Sequence, residues 1–491
     1  MMSENILYYG DNLDILRKYI KDETVDLIYL DPPFNSNKDY NVIFREPTGE
    51  RSEAQMKAFK DTWHWNGASS KFYFDIVQAG GRPSQVLQGF QTFLGDCGLL
   101  AYLSYMAIRL IELRRVLKST GSIYLHCDPT ASHYLKILMD AIFGPENFRN
   151  EIAWRRSRGA SDTSSQQFPR NHDNLLVYSK GMNQQYFKIF KPYSKNTLSM
   201  YKYDDGDGRG VYRLQEMGNY GKKTIDMMRK QNLIVETDRL NFKQHLSEKP
   251  GVVVDDMWED INPLCYASAK ERTGYPTQKP EALLKRIIEA SSKEGDLVLD
   301  PFAGSGTTLA VAQKMNRRWI GIDVTHLAVA TIKRRISQNF YHIIGEPTDL
   351  SGAKDLAARD PYQFQWWVLG LVGACPTERK KGSDKGIDGR LYFKEGPGKD
   401  AKTGQILFSV KSGSVDVTQV RDLRGVVERE GAEMGVFICL QEPTQPMLAE
   451  AASAGFYKTA WKEYPKLQII SVEELLTDRN IDIPMIELIR R

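Results

Sequence analysis

Four consecutive residues at 31–34, Asp-Pro-Pro-Phe, carry side chains suited to chemistry on an amine. They follow an apolar run at 25–30, which predicts a buried strand. Prolines lack an N–H, so Pro32 and Pro33 favour an extended backbone whose carbonyls meet few competing donors. Asp31 and the Pro32 carbonyl can accept the hydrogens of an exocyclic amine and localise its lone pair, while Phe34 offers a stacking face. Taken alone, the tetrapeptide fits a capped strand-to-loop turn better than a catalytic motif.

A glycine turn lies within residues 296–308. The pattern predicts a strand, a tight turn and a helix, at the strand end where doubly wound sheets bind ligands. The turn is shorter than the G-x-G-x-x-G fingerprint, so it favours a nucleoside without phosphates, although any α/β protein can contain such a turn. Asp323 ends the next predicted strand and can accept hydrogen bonds from both ribose hydroxyls. The candidate ligand-binding residues here are Asp300, Phe302, Gly304, Ser305, Gly306, Thr307 and Asp323.

Short apolar runs alternate with helical patterns around these two motifs. Such alternation predicts an α/β fold with a parallel sheet buried on both faces. Residues 45–100 lack clear periodicity and predict a long excursion, and a Gly/Pro/Asp passage after residue 345 predicts a linker. Both motifs then stand at carboxyl ends of strands in one sheet.

The motif order resembles the permuted β class of DNA amino-methyltransferases, in which the catalytic segment precedes a target-recognition region and the cofactor turn comes last. The resemblance covers about residues 5–340 and includes Tyr-Gly-Asp-Asn-Leu at 9–13 and Tyr-Pro-Thr-Gln-Lys-Pro at 275–280. It implies a class I, Rossmann-like methyltransferase sheet, S-adenosylmethionine as cofactor and no metal for the transfer. It further implies that Asp11 lies near the cofactor's adenine, and that the segment with Lys279 packs over its methionine.

Within this family, Asp rather than Ser before Pro-Pro favours N6 of adenine as the methyl acceptor, with N4 of cytosine as the alternative. A protein or RNA methyltransferase is a third hypothesis, because glutamine-modifying enzymes use a related Asn-Pro-Pro-Tyr turn. The permuted order and a basic insertion between the two motifs argue against it.

That insertion, residues 155–249, holds 18 Lys or Arg against 10 Asp or Glu and is rich in tyrosine. An enzyme that extrudes a base from double-stranded DNA needs phosphate contacts to hold the distorted duplex. Arg155, Arg156 and Arg158 are the predicted DNA contacts of a target-recognition region. The alternative for each of these arginines, taken singly, is a solvent-exposed surface residue that does not contact DNA.

Two histidine–aspartate pairs accompany these motifs. His126 and Asp128 end a predicted strand that should border the target-base pocket, and His126 fits a structural or a catalytic role equally well. His172 and Asp173 are interpreted as framework near the recognition region.

The C-terminal block resembles the PD-(D/E)XK core of restriction-endonuclease-like domains. Asp388 and Lys411 match that core, in which two carboxylates hold Mg²⁺ and a lysine positions water. The second acid position is Ser409, a poor ligand for a hard cation, so either Glu428 replaces it or the domain does not cut. The resemblance therefore leaves open a nuclease-like module that only binds, or a combined restriction-modification polypeptide needing Mg²⁺.

The 491 residues predict several domains. Five scattered cysteines, and no apolar run of about 18 residues, favour a reducing cytoplasm, prokaryotic or phage, without membrane association. Family members are often dimers, which implies a possible homodimer. The predicted divisions are 1–154 (catalytic half), 155–265 (target recognition), 266–345 (cofactor half) and 346–491 (endonuclease-like domain).

Overall fold

The computed structural model of the protein describes most of the chain. The described residues are 5–33, 39–45, 51–60, 63, 65, 67–157, 166, 168–248, 250–268, 271–377, 386–395, 402–459, 462–477 and 479–484.

The elements follow in chain order. The first part forms β1 (Asn5–Tyr9), α1 (Asn12–Tyr19), β2 (Val25–Leu30), β3 (Asp39–Arg45), β4 (Arg51–Lys60), α2 (Gly67–Ala79), α3 (Gly81–Leu94), α4 (Gly98–Val116), β5 (Leu117–Cys127), α5 (Ser132–Phe143), β6 (Phe148–Arg155) and β7 (His172–Ser179). The middle forms β8 (Phe190–Lys191), α6 (Lys195–Ser199), β9 (Tyr212–Glu216), α7 (Lys222–Lys230), β10 (Ile234–Glu236), β11 (Leu240–His245), β12 (Val252–Val253) and β13 (Met257–Trp258). The next part forms α8 (Glu281–Ser291), β14 (Leu297–Asp300), α9 (Thr307–Lys314), β15 (Arg318–Asp323), α10 (His326–Arg335) and β16 (Tyr341–Ile344). The last part forms α11 (Leu350–Arg359), α12 (Pro361–Leu371), β17 (Cys375–Pro376), β18 (Gly389–Glu395), β19 (Lys402–Lys411), α13 (Val417–Arg429), β20 (Met434–Cys439), α14 (Gln445–Ser453), β21 (Phe456–Lys458), β22 (Glu463–Pro465), β23 (Leu467–Ser471) and α15 (Val472–Leu476).

A nine-stranded sheet organises the larger part of the chain, in the order β13-β6-β7-β5-β2-β14-β15-β1-β16. All six residues of β2 are buried, as expected for a strand covered on both faces. Strand β2 pairs in parallel with β14, with Leu27 opposite Val298 and Ile28 opposite Leu299. Two strands that are remote in sequence therefore end side by side, and the predicted Rossmann-like α/β fold class is confirmed.

Helices cover the sheet and exclude water from it. Helix α4 has twelve buried residues and shares an apolar cluster with β2 and with α2 and α3. The predicted excursion at 45–100 was wrong for α2 and α3. In α2 three aromatic residues at consecutive positions, 72–74, obscure the helical period, and the last of them, Phe74, is exposed.

Residues 186–256 form a compact unit of their own. It contains a three-stranded antiparallel sheet, β10-β11-β9, and a separate β8-β12 pair. Lys243, on the central strand β11, is buried and forms an ion pair with Asp205. Strand β7, which precedes this unit in the chain, pairs with β5 and β6 in the large sheet.

The C-terminal residues build a second, smaller α/β sheet, in the order β17-β18-β19-β20-β23. Strands β19, β20 and β23 run parallel, and β18 is antiparallel to β19. The passage after residue 345 is largely helical rather than an extended linker, since α11 and α12 bury Leu356, Phe364 and Trp367 in the core of this sheet. None of the described helices is long and apolar enough to cross a membrane.

Candidate active site

Three aspartates stand at the carboxyl ends of adjacent parallel strands. Asp31 follows β2, Asp300 ends β14, and Asp323 ends β15. Together they line a cleft of about 770 Å³, counted with its open mouth. The other lining residues are Tyr29, Pro33, Tyr105, Tyr275, Thr277, Gln278, Lys279, Leu284, Phe302, Ala303, Gly304, Ser305, Thr307, Thr308, Val324 and Thr325.

The Asp31 carboxylate is held on one side only. Lys279 donates from Nζ to its Oδ2 atom, and both side chains are largely buried. The other oxygen, Oδ1, is buried and has no hydrogen-bond partner among the described residues. Pro32 is buried and Pro33 lines the cleft, whereas Phe34 lies outside the described residues. The site thus contains a positioned carboxylate with one unused acceptor.

The glycine turn adopts left-handed backbone at two positions. Gly304 has φ of +49° and Gly306 of +70°, a region that side chains disfavour. A Cβ at Gly306 would lie 2.7 Å from Ile332 Cγ1. Gly306 immediately precedes α9, does not line the cleft and allows the turn to pack against α10.

Asp323 stabilises this turn from the neighbouring strand. Its Oδ2 accepts from the Gly304 N–H at 2.9 Å, and its Oδ1 accepts from the N–H and hydroxyl of Thr325, both at 2.9 Å. Burial raises the pKa of Asp323 despite these bonds. Burial also raises the pKa of Asp300 to about 7, although the Thr308 hydroxyl and the Phe302 N–H oppose the shift.

Aromatic residues that the sequence analysis did not single out complete the walls. Tyr29, Tyr105 and Tyr275 line the cleft, and Tyr105 lies 6.5 Å from the ring of Phe302, centroid to centroid. Thr277 has φ of +61°, unusual for a threonine. Tyr29 carried no separate signal because it is an ordinary residue of a buried strand.

Asp11 does not line the cleft. Its carboxylate caps α1 and pairs with Arg109 at 2.8 Å. Arg109 is almost fully buried on α4, donates to Asn12 Oδ1 at 2.6 Å and lies 3.4 Å from the ring centroid of Tyr105. Asn12 donates in turn to the Pro301 carbonyl at 2.8 Å. Asp11 therefore reaches the cleft through Arg109 and its neighbours, and a cofactor contact by Asp11 stays a prediction.

The predicted DNA contacts lie at the end of β6. Arg155 and Arg156 are each 45% exposed. Arg155 lies 3.6 Å from Glu259, and Arg156 forms a 2.8 Å ion pair with Asp173. Arg158 lies outside the described residues.

The two histidine–aspartate pairs behave differently. His126 is fully buried and contacts Asp173, whereas Asp128 hydrogen-bonds Thr130 in its own turn. His172 is exposed.

The residues of the nuclease-like motif contact one another and a backbone N–H of the same sheet. Asp388 is buried and its Oδ2 accepts from the Val410 N–H at 2.8 Å, with Lys411 Nζ at 3.8 Å and Ser409 Oγ at 3.4 Å. Glu428 is 61% exposed and pairs with Arg424. Among the described residues no three His, Cys, Asp or Glu side chains cluster in a way that could hold a metal ion.

Sequence comparisons match two families. Residues 25–334 match N6_N4_Mtase, a DNA methylase family, and residues 362–477 match NACHT-associated inactive Restriction Endonuclease 1. Type II methyltransferase M.EcaI of Enterobacter cloacae is 31% identical over 263 residues, which are 48% of this chain and 58% of that protein. Type II methyltransferase M.BamHI of Bacillus amyloliquefaciens is 28% identical over 67% of this chain and 56% of that protein. The chain thus spans little more than half the length of these relatives.

Solved structures that this chain matches include the cytosine-N4-specific PvuII DNA methyltransferase, with 14% identity, a TM-score of 0.33, and coverage of 70% of this chain and 89% of that chain. A second is a DNA modification methylase from Thermus thermophilus, solved in complex with S-adenosyl-L-methionine. It has 14% identity, a TM-score of 0.34, and coverage of 70% of this chain and all of that chain. The family match covers well over half of the 491 residues. The chain therefore belongs to the N6_N4_Mtase family of DNA methylases and carries a restriction-endonuclease-like domain at its C-terminal end.

Proposed function

We propose that the protein transfers a methyl group from S-adenosylmethionine to the exocyclic amine of a base extruded from double-stranded DNA, with N6 of adenine as the acceptor. One observation carries the proposal: the unpartnered oxygen of Asp31 and the glycine turn before α9 belong to the same cleft. Family membership supports the same conclusion.

The residues of the cleft fit this cofactor. Three carboxylates, Asp31, Asp300 and Asp323, line it with a single lysine, so the electrostatic field suits a cation and opposes a phosphate. The left-handed glycine backbone permits close approach of a nucleoside, and Asp323 would receive its ribose hydroxyls. When bound, the cofactor supplies an electrophilic methyl group on a positively charged sulfur.

The acceptor side follows from the Asp31 pair. Lys279 neutralises and orients the carboxylate through Oδ2, which leaves Oδ1 to accept a hydrogen of the amine. The amine lone pair would then concentrate on nitrogen and form the new bond to the methyl carbon. The electron pair of the carbon–sulfur bond would leave with sulfur, and the amine proton would pass to solvent by way of the hydrogen bond to Asp31 Oδ1. We assign stacking of the extruded base to Phe34.

Substitution of Asp31 tests the catalytic role. Asp31→Ala should lower kcat at least about 100-fold, because one acceptor of the amine hydrogens is lost, while the cofactor Kd changes little. Asp323→Asn should instead weaken cofactor binding, which calorimetry measures, and Asp14→Asn on the exposed face of α1 is the surface control. Near-normal turnover in Asp31→Ala would rule out this mechanism.

Mass spectrometry of nucleosides from methylated DNA identifies the base. N6-methyladenine is expected, on the ground that Asp precedes Pro-Pro at 31–33. N4-methylcytosine would select the second candidate and would leave the chemistry at Asp31 unchanged. Transfer of labelled methyl to protein but not to DNA would contradict the proposal.

A further inference from the structure

Asp173, on β7, is a buried carboxylate whose two oxygens serve two different neighbours. Strand β7 lies between β5 and β6, with Trp154 opposite Asp173. Oδ2 lies 3.2 Å from Nε2 of His126, and Oδ1 lies 2.8 Å from Nε of Arg156. The Asp173 carboxylate therefore links His126, a buried residue of β5, to Arg156, a surface residue that follows β6.

From Asp173 a series of contacts leads through His126 to Tyr29 in the cleft, and we call this series the inward branch. Nδ1 of His126 lies 3.0 Å from the hydroxyl of Tyr29, whose side chain lines the cleft two residues before Asp31. Burial and then the charges of Asp31 and Asp300 raise the pKa of Tyr29 well above its usual value, so its hydroxyl keeps its proton. In the tautomer that carries its hydrogen on Nε2, His126 donates to the carboxylate and accepts from Tyr29 at Nδ1.

The carboxylate is suited to this bridging position. Burial by itself would raise the pKa of Asp173, but the hydrogen bond from His126 and then the electrostatic influence of His126, Lys279 and Arg156 bring it below its usual value. An ionised carboxylate accepts hydrogen bonds on both oxygens, so each branch has a charged anchor.

The contact between Asp173 and Arg156, which we call the outward branch, leads to a positively charged side chain that is partly exposed to solvent. Arg156 is about half exposed, and its Nη2 donates to the Arg170 carbonyl at 3.3 Å. A guanidinium fixed on one edge keeps its remaining N–H groups available for a second planar or bidentate acceptor, and a phosphodiester is the acceptor that duplex DNA offers.

We propose that Asp173 is a positioning residue that connects a DNA phosphate bound at Arg156 to the wall of the methyl-acceptor side of the cleft, through His126 and Tyr29. The inference rests on the proposed function and specifies how substrate DNA engages that site. Binding of the phosphate and alignment of the cleft wall then share one carboxylate, so loss of Asp173 should impair DNA affinity and turnover together.

A double-mutant cycle tests the outward branch. DNA affinity is measured at several salt concentrations for Asp173→Asn, for Arg156→Gln and for the double variant. Arg156→Gln should weaken DNA binding about tenfold and reduce the salt slope by about one phosphate contact. Asp173→Asn should weaken binding in the wild-type background and have no further effect in the Arg156→Gln background.

Arg155 supplies the matched control, since it immediately precedes Arg156 and is equally exposed but lies beside Glu259 rather than Asp173. In an Arg155→Gln background, the effect of Asp173→Asn on DNA affinity should persist in full. Equal coupling of Asp173 to both arginines, or additivity with Arg156, would overturn the outward branch.

Tyr29→Phe tests the inward branch without removing a buried charge. It should lower kcat about tenfold, with the cofactor Kd and the DNA Kd each within about twofold of wild type. Unchanged kcat would overturn this branch, as would Asp173→Asn affecting only the thermal midpoint. If the wild-type protein binds DNA but methylates no base, the proposed function fails, while the affinity cycle still decides the role of Asp173 at Arg156.

Discussion

In the cleft, burial disfavours the charged form of Asp300 and Asp323, two of the three aspartates that line it. Asp31, Asp300 and Asp323 approach one another at a buried edge, and only Lys279 brings a positive charge among the lining residues. Burial is the largest cause of the raised pKa of Asp300, and the charges of Asp31 and Asp323 add to it. A cationic ligand would relieve this conflict, because it would compensate the carboxylates directly.

The state of Asp300 predicts a pH dependence of stability. Its pKa rises from 3.8 in the unfolded chain to about 7 in the folded protein, so its stabilising contribution is complete below pH 3.8 and is lost as pH rises through 7. In Asp300→Asn that loss should vanish, and the Asn oxygen can still accept from the Phe302 N–H. Thermal unfolding of the cofactor-free protein between pH 5 and 8 should therefore show the wild-type midpoint falling relative to the variant by at least about 2 °C. Parallel curves would contradict this interpretation.

At the scale of elements, helix α4 stabilises the cleft through a buried side chain, Arg109. Arg109 on this helix contacts Asp11, Asn12 and the ring of Tyr105 from within the core. One buried guanidinium thus connects the start of α1 with a wall of the cleft. Such a residue cannot be identified from the helical period, since Arg is ordinarily a solvent-facing residue.

Replacing this arginine should show its structural importance. Arg109→Met leaves the buried Asn12 Oδ1 without its donor and Asp11 without its counter-charge, so unfolding should become easier by about 1–3 kcal/mol. Urea denaturation measures the change. Arg17→Met is the control: that residue forms an exposed ion pair with Glu112 on the same helix as Arg109, and its loss should cost less than about 0.5 kcal/mol. Equal effects would refute the assignment.

The turn before α9 gives a second prediction at this scale. Gly306→Ala and Gly373→Ala both place a side chain at φ of +70°, which costs about 1–2 kcal/mol. Only at Gly306 would the new Cβ collide with Ile332, since nothing lies within 4 Å at Gly373. Gly306→Ala should therefore destabilise by about 1–3 kcal/mol more than its control and weaken cofactor binding as well. The comparison of denaturation midpoints separates collision from backbone strain.

At the scale of the whole molecule, a methylase sheet and an endonuclease-like sheet share one chain, and helices that cover the two sheets are in contact. The side chain of Gln363 on α12 accepts from the backbone N–H of His326 on α10, at 2.9 Å. The ring of His326 stacks on Tyr9, with centroids 3.7 Å apart, at the end of β1. The C-terminal helices thus pack beside the strand edge that carries Asp323, which makes the endonuclease-like part a structural neighbour of the cleft.

The burial of Asp388 and its hydrogen bond from Val410 predict a structural role for the nuclease-like motif. Asp388→Ala should destabilise the protein by about 1–3 kcal/mol, because the buried Val410 N–H loses its acceptor. Methylation should persist in EDTA, and incubation of unmethylated DNA with Mg²⁺ should produce no nicks. Mg²⁺-dependent nicking that disappears in Asp388→Ala would instead establish the combined restriction-modification polypeptide.

Prediction from sequence succeeded where local pattern and fold agree. The run at 25–30 matches β2 residue for residue, and the helix expected after the glycine turn begins at Thr307. Helix α2 was missed because its three consecutive aromatics obscure the helical period, whereas the apolar residues of α3, at 86, 87, 90, 93 and 94, do follow one and were overlooked. The start of the recognition region at residue 155 stays a prediction.

By itself, the sequence determined which residues can do chemistry: an aspartate followed by two prolines, a glycine turn and a second aspartate one strand later. Local chemistry specifies these, since turn geometry and strand ends depend on neighbouring residues. The tertiary structure alone decided that Lys279 holds Asp31, that Arg109 holds Asp11, and that Asp173 joins His126 to Arg156. These pairs are 248, 98, 47 and 17 residues apart, and only the pairing of distant strands and helices brings their charges together.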